Sequence, residues 1–388
     1  MSQDSAHALA EAALARLLKA AERRDAGVAK RAALTRSALA EYHALRSLPD
    51  KEAFDAVLER AQACGAVRLT RPRGDASGLI ERVDLLDTQC LADLLGQPTR
   101  ANLIAQAAGM LRPYVDAFPA LEDVLARWTA LRAVRGDGPQ HAAAWFDACR
   151  TIAYCREQGE CDIPVRDASA RLFKDSKRVE AIVPELDVLL AGDVAAPQRP
   201  DAQVLQEIGL FREPQPVRMA ARLVVHRERV SALLDSPYGA FPPDTVLGLE
   251  GSPSRVLTIE NQTTFHVQAR RLCDSDVLCI YTAGMPSPAW GAMYQRLLAG
   301  TPPGVPVSHW GDVDEGGFRI AAFVSRLAAA AGHRLEPWNM RPSDVPQSQR
   351  RSAAPRTLQR MARFARDAGW GGLADEIAQA GIVAEQEG

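Results

Sequence analysis

The fold is set by a stretch in the C-terminal half of the chain where short apolar runs alternate with amphipathic segments. The apolar runs have the composition and length of strands: RVLTIEN (255–261), VLCIYTAG (277–284), VPVSHWGD (305–312) and RLEPWNM (334–340). The segments between them have helical spacing: VQARRLC (267–273), PAWGAMYQRLLAG (288–300) and GGFRIAAFVSRLAAAAG (316–332). Strands that alternate with helices form parallel sheets with the helices packed on the faces. We therefore predict a parallel four-stranded βα sheet within residues 246–345.

Three carboxylates stand at the ends of two of these predicted strands. Glu260 ends the first strand, and Asp312 and Asp314 follow the third. Open parallel sheets place their ligand sites at the carboxyl ends of the strands, so these side chains should meet at one edge. A set of carboxylate oxygens suits Mg²⁺ or Mn²⁺, which can bridge phosphate oxygens and activate a water molecule. We predict that Glu260, Asp312 and Asp314 are the metal ligands and the catalytic residues.

The D-x-D pattern alone is open to other interpretations. A calcium-binding EF-hand needs an oxygen-bearing side chain where Gly316 stands and a glutamate further on, and the chain has neither. Phosphatases of the haloacid dehalogenase type need a later lysine, and no lysine follows Lys177. The strongest competitor is a structural role, with Asp312 capping the next helix and Asp314 solvated. Glu260, on another strand, favours the metal site.

Three neighbours of the carboxylates are candidates for supporting roles. Asn261 could orient Glu260 or a metal-bound water, or it could satisfy a turn at the strand end. His309 could act as an acid or base or touch phosphate, whereas a core histidine is the simpler interpretation. Glu315 could supply a further carboxylate for a second metal, or it could favour the amino end of a helix through the helix dipole.

The first half of the chain is α-rich. Its spacing predicts three helices, and a change of period then predicts two strands: 7–24, 31–47, 54–65, 66–70 and 79–85. A turn is predicted at 48–50, and the two strands enclose a basic, turn-rich segment at 71–78. Helices followed by a basic-tipped hairpin are the order of a winged helix, a common DNA-binding module. A helical scaffold with a surface hairpin is the alternative.

Two further segments carry clustered positive charge. Residues 87–158 are helical in pattern, and 161–192 follow with two helix-like segments and a cluster at Lys174, Lys177 and Arg178. This cluster could be a solvated face or a row of phosphate contacts. Near the C-terminus, arginines share one face of a predicted helix, for which solvent, DNA and dimer contacts are all open: Arg356, Arg360 and Arg363.

These changes of pattern predict five parts. They are a helical plus winged-helix-like domain (1–95), a helical connector (96–160), a DNA-binding winged-helix or CAP-like domain (161–245), a catalytic domain (246–345) and a basic helical segment (346–388).

Composition sets limits on the partners. The chain has 388 residues, 47% of them hydrophobic, and a formal net charge of -2 from 46 basic and 48 acidic residues. It carries no strong global field toward nucleic acid or membrane, so a charged partner must meet a local patch. No window approaches the ~20 apolar residues that span a bilayer, which predicts a cytoplasmic protein with no membrane partner.

The motifs resemble a known family. A glutamate at the end of one strand and D-x-D at the end of a later one are similar to the Toprim domain of topoisomerases, primases and related nucleases. More specifically, three stretches resemble the nuclease subunit of the Wadjet anti-plasmid system (JetD-like): IENQTTF (259–265), YTAG (281–284) and HWGDVDEGGF (309–318). LFKDSKR (172–178) is similar to the motif that precedes the Toprim domain in that family. The resemblance extends over roughly 160–345.

The resemblance implies a homodimeric DNA endonuclease that depends on Mg²⁺ or Mn²⁺ and has a core like that of the topoisomerase VI A subunit. Its partners would be double-stranded plasmid DNA and an SMC-like ATPase complex with kleisin-like subunits. Carried over to this chain, Glu260, Asp312 and Asp314 would hold the metal. Lys174, Lys177 and Arg178 would contact DNA. The rivals are a non-catalytic DNA-binding or assembly subunit and a Toprim enzyme with a different nucleic-acid reaction.

One departure from related enzymes bears on the nucleophile. Topoisomerase-like relatives cut DNA with a tyrosine, usually in a setting like R-D-x-Y-Y, whereas here the sequence at 166–169 is RDAS. We expect the tyrosines of this chain to lie in helix or strand cores, and we predict water as the nucleophile, which gives hydrolysis without resealing. An upstream tyrosine is the alternative.

Overall fold

The computed structural model describes residues 3–72, 78–159 and 162–384. These residues belong to two compact units. Unit 1 comprises Met1–Cys149 with Val188–Ala196, and unit 2 comprises Arg150–Asp187 with Pro197–Gly388. The finer division into five parts stays a prediction.

Unit 1 is α-rich. Its elements are α1 (Gln3–Asp25), β1 (Ala33–Leu34), α2 (Ala40–His43), α3 (Leu48–Ala63), β2 (Val67–Thr70), β3 (Arg82–Leu85), α4 (Thr88–Leu94), α5 (Arg100–Leu111), α6 (Ala120–Thr129) and the first part of α7 (Ala142–Glu157). The three strands form an antiparallel sheet in the order β1-β3-β2. The two strands predicted at 66–70 and 79–85 are confirmed, and the tip of their hairpin at 73–77 lies outside the described residues.

The prediction of one helix over 31–47 is wrong. Residues 33–34 form β1, which pairs with β3 through Leu34 and Val83, and only the short α2 is helical. The backbone pairing with a distant strand overrides a helical pattern that is weak over this length. The apolar stripe still serves the core, because Leu34 and Tyr42 are both buried in it.

The turn predicted at 48–50 is also wrong. These residues form the first turn of α3, with Pro49 among the first helical positions. Proline is tolerated there because the first amide groups of a helix have no partner within the helix.

The helical prediction for 87–158 is confirmed by α4 to α7. Trp128 of α6 and Trp145 of α7 are both fully buried, and their rings meet edge to face with centroids 6.1 Å apart. This geometry is the one that two aromatic rings prefer.

Unit 2 begins with short elements. They are the end of α7, β4 (Ile163–Pro164), α8 (Val165–Phe173), α9 (Arg178–Ala181), the first part of α10 (Val183–Ala191), α11 (Asp201–Glu207), β5 (Leu210–Phe211), β6 (Val217–Ala220), β7 (Val224–Arg227), β8 (Ser231–Leu233), β9 (Gly239–Phe241) and β10 (Val246–Glu250). Three of these strands form an antiparallel sheet in the order β10-β7-β8, and β4 pairs with β5. The helix-like segments predicted within 161–192 are confirmed.

The remaining elements build the central sheet and its cover. They are β11 (Arg255–Ile259), α12 (Gln262–Leu272), β12 (Val277–Tyr281), α13 (Pro288–Ala299), β13 (Val307–Trp310), α14 (Glu315–Ala330), β14 (Leu335–Pro337), β15 (Arg351–Ser352), α15 (Pro355–Asp367), α16 (Gly371–Ala380) and β16 (Ile382–Val383). All four predicted strands and the three predicted helices between them are present.

The central sheet has six strands in the order β14-β13-β11-β12-β6-β9. The first four are parallel to one another, as predicted. The patterns did not predict the antiparallel strands β6 and β9, which extend the sheet beyond β12. The chain is thus a mixed α/β protein with an α-rich N-terminal part and several small sheets.

Both faces of the central sheet are covered, which explains why its strands are apolar on both sides. One face packs against α12 through a small cluster: Leu257, Ile259, Phe265, Ala269 and Cys279. The opposite face belongs to the main core with the C-terminal helices, including Val256, Ile280, Met293, Phe318 and Met361. Among the described residues, none of the helices combines the length and the apolar character needed to cross a bilayer.

Candidate carboxylate site

The carboxylates predicted to meet are brought together because their strands are neighbours. β11 and β13 pair in parallel and end side by side, with Ile259 opposite Trp310. The Glu260 amide donates to the Trp310 carbonyl at 3.0 Å, and the Asp312 amide donates to Oε2 of Glu260 at 3.3 Å. Glu260 and Asp312 therefore lie at one edge of the sheet, where the chain leaves both strands.

A glycine makes this approach possible. A Cβ atom on Gly311 would lie 2.8 Å from Oε2 of Glu260 and 2.9 Å from Nε2 of His309. No real Cβ makes contacts that short, so a larger residue would push one of these side chains away. The sequence interpretation missed Gly311, and its only signal was its place between His309 and Asp312.

Gly317 has a comparable role at the start of α14. A Cβ atom there would overlap the backbone of Asp312. The tight entry of the chain into α14 therefore requires a glycine at position 317.

Burial and nearby like charges raise the pKa of Glu260. Its carboxyl is partly buried, and loss of solvation, followed by the charges of Asp312 and Asp314, raises its pKa to about 8. A carboxyl group in this setting holds its proton at neutral pH unless a cation compensates the charge. The edge is thus a site where a further positive charge would be favourable.

Asp314 also has a structural role. It is the N-cap of α14, where its Oδ1 accepts the Gly317 amide at 2.8 Å. The alternative of a helix-capping aspartate is therefore realised by Asp314, rather than by Asp312 as the sequence suggested. Over residues 3–72, 78–159 and 162–384, no three histidine, cysteine, aspartate or glutamate side chains stand in a ready-made metal-binding group. The carboxylates are close enough to influence Glu260, but they would have to turn to share an ion.

His309 is a core residue with one unusual feature. It is fully buried on β13, opposite Thr258 of β11, and its Nδ1 lies 2.9 Å from Oγ1 of Thr258. Burial lowers its pKa to about 3, so the ring is neutral. Within the described part of the chain, its Nε2 has no hydrogen-bond partner, and this atom faces the position that Gly311 keeps open. A buried nitrogen in that state is a ready partner for a ligand.

Asn261 and Glu315 both make local contacts. Oδ1 of Asn261 accepts the Thr264 amide at 3.1 Å and caps α12, which matches the interpretation as a satisfied strand-end amide. Oε2 of Glu315 lies 2.8 Å from Nε of Arg360 on α15. Glu315 is thus held by an arginine, an arrangement that the sequence did not predict.

Arg319 is a second residue that the sequence interpretation missed. It lies on α14 one turn after Glu315. Its positive charge lowers the pKa of Glu260, but burial and the two aspartates raise that pKa by more. Burial and the charge of Arg199 lower the pKa of Arg319 itself. Its only signal in the sequence was the helical spacing from Glu315, which placed it toward the site.

Of the predicted DNA-contacting residues, Lys174 and Lys177 lie on the loop between α8 and α9, and Arg178 begins α9. Lys174 ends α8 in a left-handed conformation and is exposed, as is Lys177, while Arg178 is partly buried. Oδ1 of Asp175 accepts the Lys177 amide at 2.9 Å and fixes the loop. The cluster therefore presents two lysines to solvent, as a phosphate-binding segment requires.

Fold and site together define an α/β protein with an acidic site at the carboxyl edge of a parallel sheet. Comparisons with known proteins show what this chain is similar to. The family model described as "Wadjet protein JetD, C-terminal" matches residues 212–367. The chain is also 29% identical over 192 residues to Wadjet protein JetD of Bacillus cereus (strain Q1), an alignment that covers 47% of this chain and 45% of that protein. The JetD-like resemblance is confirmed.

The matched region is a part of each protein. The chain spans about 45% of the length of the curated relative that it matches. The matched family range contains Glu260, Asp312 and Asp314 but begins after the segment 172–178. The carboxylate site thus lies within the matched family range, whereas the basic loop lies before that range.

Proposed function

We propose that the chain is a Wadjet-type subunit that acts as a metal-dependent DNA endonuclease in anti-plasmid defence. Its catalytic part would be a Toprim domain within 246–345. Glu260, Asp312 and Asp314 would hold Mg²⁺ or Mn²⁺ and carry the hydrolysis of duplex DNA. Support comes from the family match over residues 212–367, which contain this site.

The single observation that carries the proposal is the meeting of Glu260 and Asp312 across neighbouring parallel strands. The Asp312 backbone amide donates to Oε2 of Glu260 at 3.3 Å, and burial, followed by the charges of Asp312 and Asp314, raises the pKa of Glu260 to about 8. Buried like charges are costly, and functional sites are where such arrangements persist. A divalent cation would compensate both groups.

The residues around the ion would divide the work. When bound, the metal would supply positive charge to phosphate oxygens and lower the pKa of a water molecule. Glu260 and Asp312 would hold it from the two strand ends, and Asp314 would contribute the oxygen that does not cap α14. Arg319, on the first turns of α14, would add positive charge beside the phosphate.

DNA would be held by other parts of the chain. Lys174 and Lys177 are exposed and would contact phosphates together with Arg178. In unit 1 the elements run α1-β1-α2-α3-β2-β3 with a three-stranded sheet, an order that supports the winged-helix interpretation. By the same resemblance, the partners would be an SMC-like ATPase complex with kleisin-like subunits and a second copy of the chain.

Water is the nucleophile in this proposal. Tyr42 and Tyr294 are fully buried, as expected for core residues, but the other tyrosines are only partly buried. Of these, Tyr281 ends β12 and packs against Phe265 with ring centroids 5.3 Å apart. Its ring is therefore engaged in the core on the α12 side. A covalent protein–DNA end after denaturation would identify a tyrosine mechanism instead.

A second candidate is a non-catalytic DNA-binding or assembly subunit. It is favoured by the capping role of Asp314 and by the lack, among the described residues, of a ready-made metal group. In that case the acidic edge would stabilise the entry into α14 rather than bind an ion.

The test is cleavage of supercoiled plasmid with Mg²⁺ or Mn²⁺ by the purified chain, alone and with its SMC-like partners. We expect Glu260→Gln and Asp312→Asn to lower the rate by more than about 100-fold, above the usual cost of losing an outer-shell partner of a metal. Glu336→Gln is the matched control, since Glu336 is an exposed glutamate on β14 of the same sheet. Equal cutting by Glu260→Gln and the wild type would end the proposal.

A further inference from the structure

We propose that α15 binds the phosphate backbone of duplex DNA beside the carboxylate site through an arginine stripe, defined as Arg356, Arg360 and Arg363. The inference rests on the proposed function and assigns a substrate surface to the same site. Arg356 and Arg363 would contact phosphates, and Arg360 would position the helix.

The two faces of α15 differ sharply. Met361, Ala362 and Ala365 are buried in the main core. Arg356 and Arg363 are exposed, and their spacing places them with Arg360 on one side of the helix. The helix therefore buries small and apolar residues and presents guanidinium groups.

Arg360 ties the stripe to the carboxylate site. Its Nε lies 2.8 Å from Oε2 of Glu315, and the two side chains are only 16% and 22% exposed. Glu315 directly follows Asp314 in the chain. Arg360 therefore contacts the residue next to a predicted metal ligand. An ion pair that is mostly buried fixes geometry more firmly than an exposed pair.

The two outer arginines are available to a ligand. Within the described ranges, neither Arg356 nor Arg363 has a carboxylate partner. The guanidinium of Arg363 lies 4.7 Å from the ring centroid of Phe364, which supports its stem. Arginine in this state suits phosphate, because its planar group donates two parallel hydrogen bonds.

The spacing of these arginines fits a DNA strand. Arg356 and Arg363 are seven residues apart, which corresponds to about 10 Å along the axis of an α-helix. Phosphates of one strand recur about every 3.4 Å of duplex axis, so both arginines can reach phosphates of the same strand. An acidic protein surface would also attract arginines, but the neighbouring carboxylate site favours the polymer that this site would cut.

The experiment measures binding of the full-length chain to a fluorescein-labelled DNA duplex by anisotropy over a range of salt concentrations, without metal. For Arg356→Gln with Arg363→Gln, we expect affinity to fall roughly 10–100-fold at about 0.1 M salt. The slope of log K against log salt should become shallower by about 2, one unit for each lost phosphate contact.

Arg366→Gln is the matched control. Arg366 is an exposed arginine of the same helix, but unlike Arg356 and Arg363 it already pairs with a carboxylate, Asp375, at 3.3 Å. It should leave affinity and slope unchanged, and thermal unfolding should confirm that all variants are folded. DNA binding by the double variant at wild-type affinity and slope would overturn the proposal, and so would an equal loss in Arg366→Gln.

The outcomes separate this inference from the proposed function. Glu260→Gln should bind DNA with the salt slope of the wild type, because the stripe is intact. If the stripe binds DNA but no variant or wild-type protein cuts it, the endonuclease proposal fails and the surface stands.

Discussion

Unit 2 contains two clusters of buried or partly buried charged groups, and the two are built in opposite ways. In the first, Arg199 lies 2.5 Å from Oδ1 of Asp187 and 2.5 Å from Oε2 of Glu207, with side chains that are 11%, 1% and 20% exposed. In the second, the Asp312 backbone amide binds Oε2 of Glu260 at 3.3 Å, and the charges of Asp312 and Asp314 lie close enough to raise the pKa of Glu260. The first cluster pairs opposite charges within the protein, whereas the second brings carboxylates together.

This contrast separates a structural from a functional charge cluster. Buried groups of opposite charge compensate each other without a ligand and can hold two elements together. Arg199 does so for α10 and α11, because it binds Asp187 on the first helix and Glu207 on the second. Buried like charges raise the free energy of the folded state, and they persist where a ligand supplies the missing charge. We therefore assign structure to the Arg199 cluster, and we propose metal binding at the Glu260 edge.

The largest expected effect on stability is at the compensated cluster. Arg199→Ala leaves Asp187 buried without this arginine, and such losses cost about 3–5 kcal/mol in unfolding free energy. Chemical denaturation should be compared with Arg212→Ala, whose ion pair with Glu180 at 2.9 Å involves an arginine that is 61% exposed. That exposed pair should contribute at most about 1 kcal/mol. Equal losses in the two variants would contradict the structural role of Arg199.

At the carboxylate edge, we expect a substitution to raise the stability of the folded protein instead of lowering it. The pKa of Glu260 is raised to about 8 in the folded protein, while an unfolded glutamate titrates near ~4.3. Between these values the unfolded chain gives up the proton first, so the wild type loses stability as the pH rises through this window. Glu260→Gln removes the loss and should unfold at a temperature on the order of 10 °C higher at pH 8 without metal.

The pH dependence provides the check on that result. At pH 4, where both states hold the proton, the advantage of Glu260→Gln should vanish. Glu336→Gln, at an exposed site on β14, should show no advantage at either pH. A constant difference between Glu260→Gln and wild type at both pH values would mean that packing, and not charge, is the cause.

The sequence predicted the central sheet well because apolar runs and helical spacing agree there over every element. It also predicted the meeting of Glu260 and Asp312, since carboxyl ends of parallel strands share an edge. It failed at 31–47, where the pairing of β1 with β3 depends on a strand far along the chain. The pattern of apolar residues within a short stretch of sequence carries no information about a strand that pairs with it from far along the chain.

Other features could not be predicted because they depend on packing between side chains. The space that Gly311 leaves between Glu260 and His309 follows from the positions of two strands. The contact of Arg360 with Glu315 follows from the way α15 lies on α14. Glu260 and His309 are far apart in the sequence, and so are Glu315 and Arg360. Only the folded structure shows that the members of each pair are neighbours.

Our main proposal is that a divalent cation completes the Glu260 edge, and calorimetric titration of Mn²⁺ into the metal-free protein tests it most directly. We predict binding to the wild type and to Glu336→Gln, and loss of that binding in Glu260→Gln and in Asp312→Asn. Binding of Mn²⁺ that is unchanged by both substitutions, or no binding to the wild type, would contradict the proposal.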